Sequence, residues 1–154
     1  MKHPRAIVSA ALVVVSMTVS ACSSGADVSG TLSQRVNGWS HGVGFTSSSA
    51  KIGSELDQVT RRAQAGDLGG LQAVSVQLQD DATIAHSQLP SPDQSLTNQL
   101  NTAYQTAYQL ANHYLDKGVG SDRAAGLAAV IRQAGAAQQA LQGARARAAT
   151  LGHS

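Results

Sequence analysis

The stretch S121-DRAAGLAAVIRQAGAAQQALQGARARAAT-L151 decides the fold class of this chain. Apolar residues recur in it at alternating spacings of three and four, and so form a narrow seam along one side. A seam of this kind predicts a helix that packs in an antiparallel bundle. We place this helix at residues 122–151, with Ser121 as its expected N-cap. The members of the seam are Leu127, Val130, Ala134, Ala137, Leu141, Ala144, Ala148 and Leu151.

Two upstream segments repeat the same spacing, at residues 68–89 and 92–117. Ser91 is the expected N-cap of the later segment, with Pro92 in its first helical position. Pro90 is expected to end the earlier one. A link of only two or three residues then makes these helices antiparallel neighbours.

The first helical segment, residues 31–65, carries two apolar seams that are displaced by two residues. The displacement falls at Gly42-Val43-Gly44, and each glycine inside a helix costs about 1 kcal/mol relative to alanine. We expect one kinked helix over residues 31–65, with two shorter helices as the alternative. The first seam contains Leu32, Val36, Trp39 and Val43, and the second contains Phe45, Ser49, Ile52, Leu56, Val59 and Ala63.

These segments predict an all-α domain over residues 31–154, an up-down antiparallel four-helix bundle with helices at 31–65, 68–89, 92–117 and 122–151. Aromatic residues make up 3% of the chain, and no stretch shows the alternating pattern of a strand. The domain follows a predicted signal peptide and a flexible tether.

The N-terminus has the pattern of a secretory signal peptide. Lys2 and Arg5 precede an uncharged run from Ala6 to Val19, which ends in small residues. The run is too short for a membrane-spanning helix, which needs about 20 apolar residues. We therefore assign residues 1–21 to a signal peptide.

The sequence Val19-Ser20-Ala21-Cys22 resembles the lipobox of bacterial lipoproteins. The resemblance implies that the Cys22 thiol is joined to diacylglycerol and that Cys22 becomes the first residue of the mature chain. Membrane lipid is then a partner, and two acyl chains hold a protein stably on a membrane. The expected location is the extracytoplasmic side of the cell membrane, within the cell envelope. Residues 22–30 would be the lipidated cysteine and a small, polar, flexible tether.

Charge and cysteine content restrict the classes of partner and the covalent links that the chain can have. With Lys2 and Arg5 removed, the remaining chain has nine basic and nine acidic residues. The sequence has no basic patch that would indicate a nucleic-acid partner. Cys22 is the single cysteine, so the predicted bundle has no disulfide.

Motifs of catalysis are not found. Residues Ser48 to Lys51 match the Ser-x-x-Lys pattern of β-lactamases, but the other motifs of those enzymes are absent from the sequence. Glu55 is the single glutamate, and Asp80 and Asp81 are expected to form a solvated face. We predict no catalytic residues and no cofactor, and therefore a protein that is not an enzyme.

Four aromatic residues are candidates for contacts or a pocket. Trp39 and Phe45 are expected to anchor the end of the bundle near the tether. Tyr104 and Tyr108 flank the seam of their helix, and we expect boundary positions with hydrated hydroxyls. A pair that stacks on a ligand is the alternative for the two tyrosines.

No metal site is predicted. His41 and His86 form a weak alternative, because both lie near the same end of the predicted bundle.

The stretches VNGWSHGVGF (36–45) and LPSPDQSLTNQLNTAYQTAY (89–108) resemble small uncharacterised envelope proteins of actinobacteria. The family has no established activity, so the resemblance supplies no catalytic residues. The first functional hypothesis is a non-enzymatic lipoprotein whose bundle is structural or meets an envelope protein partner. The alternative is a lipoprotein that binds a small apolar ligand, lipid or haem, between its helices.

Overall fold

The computed structural model describes residues 30–153, and every regular element in that range is an α-helix. The all-α class is therefore confirmed. Three predicted segments lie outside the described residues: the signal peptide, the lipobox Val19-Ser20-Ala21-Cys22 and residues 22–29 of the tether. The helices are α1 (Leu32–Gly42), α2 (Phe45–Ala65), α3 (Leu68–Ser87), α4 (Gln94–Lys117) and α5 (Arg123–Gly152).

The four long helices form a ring in which α2 and α4 each pack between α3 and α5. In polar pairs between neighbouring helices, the residue number rises along one helix as it falls along the other, as antiparallel packing requires. On α2 and α5, for example, Ser49 pairs with Arg145 and Asp57 with Gln138. The four long helices are therefore antiparallel neighbours, but the described residues form five helices and not the predicted four.

The first predicted helix is two helices, so the expectation of one kinked helix over residues 31–65 was wrong. Gly44 adopts a left-handed conformation (φ 62°, ψ 34°), which an α-helix cannot contain. The α1 helix ends at Gly42, and Val43 still donates its N–H to the carbonyl of Trp39 (2.9 Å). The chain therefore turns at Gly44 and starts a new helix at Phe45.

The α1 helix lies at one end of the bundle. Ser33 Oγ and Asn37 Nδ2 both donate to the carbonyl of Gly152, at 3.0 and 3.1 Å, near the C-terminus of α5. Trp39 Nε1 donates to the carbonyl of Gln88 at 3.3 Å, at the C-terminus of α3. These contacts satisfy carbonyl groups that have no partner within their own helices.

Two helix starts differ from the predictions. Asp93, not Ser91, caps α4, and its Oδ1 accepts from the N–H of Leu96 (2.7 Å). The link from α3 to α4 therefore spans residues 88–93, longer than expected. Ser91 is buried in this link, where its hydroxyl bonds to Asp93 and Thr97.

The second difference is at α5, where Asp122 rather than Ser121 accepts the capping hydrogen bond. The α3 helix begins at Leu68, as predicted, and Asp67 caps it.

The predicted seams form the core. Those of α2 and α4 are buried throughout, and in α5 the central part of the seam is buried while its ends are partly covered. Many of the buried residues are alanines, which let helices approach closely but bury little area each. The residues of the two fully buried seams are Phe45, Ser49, Ile52, Leu56, Val59 and Ala63 in α2, and Leu96, Leu100, Ala103, Ala107, Leu110 and Tyr114 in α4.

Among the described residues, none of the helices combines the length and the hydropathy that a membrane span requires.

Candidate functional site

The aromatic residues Trp39 and Phe45 meet at the α1 end of the bundle. Their ring centroids are 5.4 Å apart, and the ring planes are tilted by 35°. Phe45 is buried, whereas Trp39 is partly buried and packs against the core. The pair joins α1 to the first turn of α2, across the break at Gly44.

An open cleft lies beside this aromatic pair, between α1, α2 and α5, and we call it the α1–α2–α5 cleft. It has a volume of about 590 Å³. Its lining combines apolar residues with histidines, hydroxyl groups and one guanidinium, and it contains no Asp or Glu. Its lining includes Val36, His41, Phe45, Ala50, Arg145, Ala148, Ala149 and His153.

The guanidinium of Arg145 is held at one side of this cleft by a buried hydroxyl. Arg145 Nε donates to Ser49 Oγ at 3.1 Å, and Ser49 is 1% exposed. The guanidinium lies across Gly53, with both terminal nitrogens 3.7 Å from the position that a Cβ would take. A serine in the apolar seam of α2 therefore has a role that the seam itself did not indicate.

A second cleft, of about 330 Å³, contains a cluster of charged side chains between α2 and α3, formed by Lys51, Glu55 and Asp81. Lys51 Nζ lies 2.9 Å from Asp81 Oδ1 and 2.7 Å from Oδ2. Glu55 is 3% exposed, and its carboxyl group lies close enough to that of Asp81 to form a hydrogen bond when one of the two is protonated. Glu55 Oε2 is buried and has no hydrogen-bond donor among the described residues.

Two carboxylates in such contact cannot both be ionised, so one proton lies between them. Burial, together with the hydrogen bond to Asp81 and its charge, raises the pKa of Glu55 to about 8. Burial also acts to raise the pKa of Asp81, but hydrogen bonds from Glu55 and Lys51 outweigh it and hold that pKa below its ordinary value. The arrangement stores one proton on Glu55 at neutral pH.

This cluster corrects the expectation that Asp80 and Asp81 form a solvated face. Asp80 is exposed, but Asp81 is partly buried and paired. The sequence carried a weak signal for it, since Glu55 directly precedes the seam residue Leu56 on α2. Which residue of α3 it meets depends on how the two helices are rotated, and this cannot be read from one helix.

The tyrosines line a third cleft, between α3 and α4, together with His86. Tyr108 is 40% exposed, as a boundary residue should be, but Tyr104 is 2% exposed. The expected hydrated hydroxyl of Tyr104 is therefore wrong, and burial raises the pKa of Tyr104 to about 12. A helix rotation that places Ala103 and Ala107 in the core also buries Tyr104 beside them.

The two histidines of the weak metal alternative line different clefts. His41 lies in the α1–α2–α5 cleft, whereas His86 lies between α3 and α4 and bonds to Asn101 Oδ1 at 2.7 Å. Within residues 30–153, no three His, Cys, Asp or Glu side chains lie where they could share a metal ion. The structure thus gives the His41–His86 pair no support.

The Ser-x-x-Lys match also separates in the structure. Ser48 Oγ donates to the carbonyl of Phe45, and Lys51 pairs with Asp81 on α3. The serine and the lysine thus each have a structural partner.

Comparison with known proteins adds no relative to this picture: no family model, no curated protein and no solved structure matches the chain. The helical bundle and its clefts are therefore interpreted from the chain itself.

Proposed function

We propose that the chain is a lipoprotein of the bacterial cell envelope, held on the extracytoplasmic side of the membrane by a diacylglyceryl group on Cys22. The observation that carries this proposal is the sequence Val19-Ser20-Ala21-Cys22 directly after a basic start and an uncharged apolar run. Two acyl chains hold a protein on a membrane without a spanning helix. The bundle then acts outside the membrane as a non-enzymatic structural or interaction module.

The polar groups in the interior of the bundle support a module without catalysis. Ser91 holds the link between α3 and α4, Ser49 holds Arg145, and Glu55 pairs with Asp81. The two serines are hydrogen-bonded within the fold, and the carboxyl of Glu55 lies against that of Asp81. The partner that the module meets would be another protein of the envelope.

The alternative is a lipoprotein that binds a small apolar ligand, such as lipid or haem, between its helices. The buried seams of α2 and α4 weigh against a ligand at the centre of the bundle, because their side chains already fill that space. The clefts that the described residues line are open grooves between neighbouring helices.

Lipid attachment is tested by growing cells that express the chain with a clickable fatty-acid analogue. We expect the analogue to label the protein and the protein to fractionate with membranes. Cys22→Ala should abolish the label, whereas the matched control Ser23→Ala should keep it. A label that survives in Cys22→Ala, or a mature protein whose Cys22 reacts with a thiol reagent, would refute the anchor.

A further inference from the structure

The α1–α2–α5 cleft has an unbalanced positive charge. Arg145 is its one permanently charged side chain, and no Asp or Glu lines it. His41 and His153 also line it, and neither side chain adds a negative charge. A cleft with this lining attracts an anion.

The terminal nitrogens of Arg145 lie over Gly53, where this cleft meets a neighbouring cleft that Asp57 lines, and they have no acceptor among the described residues. Its Nε is the one nitrogen in a hydrogen bond, to Ser49, and no carboxylate of residues 30–153 lies within 4.0 Å of the guanidinium. Arg62 and Arg147, by contrast, are ion-paired with Asp67 and Asp93. Two parallel N–H groups of a held guanidinium form the fork that binds a carboxylate in a bidentate manner.

The other wall of the cleft is apolar. Ala50, Ala148 and Ala149 form its accessible part, over the buried side chains of Val36 and Phe45. The volume of about 590 Å³ lies within the range of small-molecule sites, about 300–1,000 Å³. The cleft therefore offers an apolar wall next to one cation.

We propose that the α1–α2–α5 cleft binds a single-chain amphipathic carboxylate, a fatty-acid-like molecule. Its carboxylate bonds to the terminal nitrogens of Arg145, and its alkyl chain lies along Ala50, Ala148 and Ala149. One permanent cation matches the single charge of a carboxylate. The inference goes beyond lipid anchorage and does not depend on it, since the cleft is built entirely from described residues.

The test uses residues 22–154 with Cys22→Ser, which we call the unlipidated chain. It retains every helix and every core residue of the described structure. Decanoate is titrated below its aggregation concentration and followed by calorimetry and by the fluorescence of Trp39, the single tryptophan, whose ring packs on Phe45. We expect saturable binding of one decanoate per chain, with decanol and acetate at least about tenfold weaker because each lacks one half of the recognition.

Arg145→Gln removes the charge and should weaken decanoate binding about 10- to 100-fold, the usual effect of losing hydrogen bonds to a charged group. Arg132→Gln is the matched control, because Arg132 is an exposed arginine of the same helix outside the cleft, and its affinity should equal that of the parent. Arg145→Lys keeps the charge but loses the fork, so its affinity should fall between these two. Circular dichroism checks that each variant is folded. If Arg145→Gln does not fold, the comparison of Arg145→Lys with the parent tests the proposal.

Three results would overturn the proposal. They are no saturable binding of decanoate, equal affinity for decanoate and decanol, or an unchanged affinity in both Arg145 variants. None of these results bears on the attachment of lipid to Cys22, which the labelling experiment decides separately.

Discussion

The shared proton of Glu55 makes the stability of the bundle depend on pH in an unusual direction. The pKa of Glu55 rises from its ordinary value of 4.5 to about 8 on folding, so between these values the folded chain binds a proton that the unfolded chain has lost. The contribution of Glu55 is therefore complete below about pH 4.5 and is lost as the pH rises toward 8. The slope is about 1.4 kcal/mol per pH unit inside this window, which amounts to about 2–3 kcal/mol between pH 5.5 and 7.5.

Glu55→Gln should remove this dependence. The glutamine amide can donate to Asp81 as the protonated carboxyl does, and it cannot ionise. Urea unfolding of the unlipidated chain, followed by far-ultraviolet circular dichroism near pH 5.5 and 7.5, measures the free energy of unfolding at each pH. We expect the parent to lose stability between the two, and Glu55→Gln to lose much less and to be the more stable protein at the higher pH.

Asp80→Asn is the matched control, because Asp80 is an exposed carboxylate that lines the same cleft. It should retain the pH dependence of the parent. Equal slopes in the parent and in Glu55→Gln would refute the assignment of the proton to Glu55.

Three further predictions use the same unfolding measurement. Gly44→Ala should destabilise the bundle by about 1–2 kcal/mol because φ is +62° there, whereas Gly38→Ala, inside α1 with open space around it, should stabilise it by about 0.5–1 kcal/mol. Asp93→Ala removes a helix cap and an ion pair and should cost about 2 kcal/mol. The hydrogen bond from Arg147 holds the pKa of Asp93 below its ordinary value. The parent should therefore lose the stability that ionised Asp93 contributes as the pH falls through that lowered pKa, whereas Asp93→Ala should show no such loss. Trp39→Phe keeps the ring contact but loses the bond to Gln88, at a cost of about 1 kcal/mol.

The helices could be predicted because their signals are local. A seam at spacings of three and four is a property of one segment, and those of α2 and α4 are buried as predicted. The glycine pair at residues 42 and 44 likewise marked the point where the first helix is interrupted. Whether the chain bends or breaks there depends on Gly44 entering the left-handed region and on α1 bonding to Gly152, which is distant in sequence.

The cap of α4 shows why a local signal can fail. Ser91 and Asp93 are both good N-cap residues, and the sequence before the helix favoured Ser91 because Pro92 follows it. In the structure Asp93 also accepts two hydrogen bonds from Arg147, at 2.7 and 3.0 Å. This contact joins residues 54 apart in sequence, so the choice between the two caps is made by α5 and not by the start of α4.

The two polar sites of the bundle escaped prediction for the same reason. Ser49 and Glu55 lie on α2, and each has its partner on a different neighbouring helix, Arg145 on α5 and Asp81 on α3. A helical wheel shows that both side chains lie close to the core, but it does not show which neighbour they meet. The seam positions show that the helices pack against one another. The rotation of each helix about its own axis decides whether a polar side chain near the seam is hydrated or paired. In a core rich in alanine, where few large side chains fix that rotation, pairs such as Ser49–Arg145 and Glu55–Asp81 help to define it.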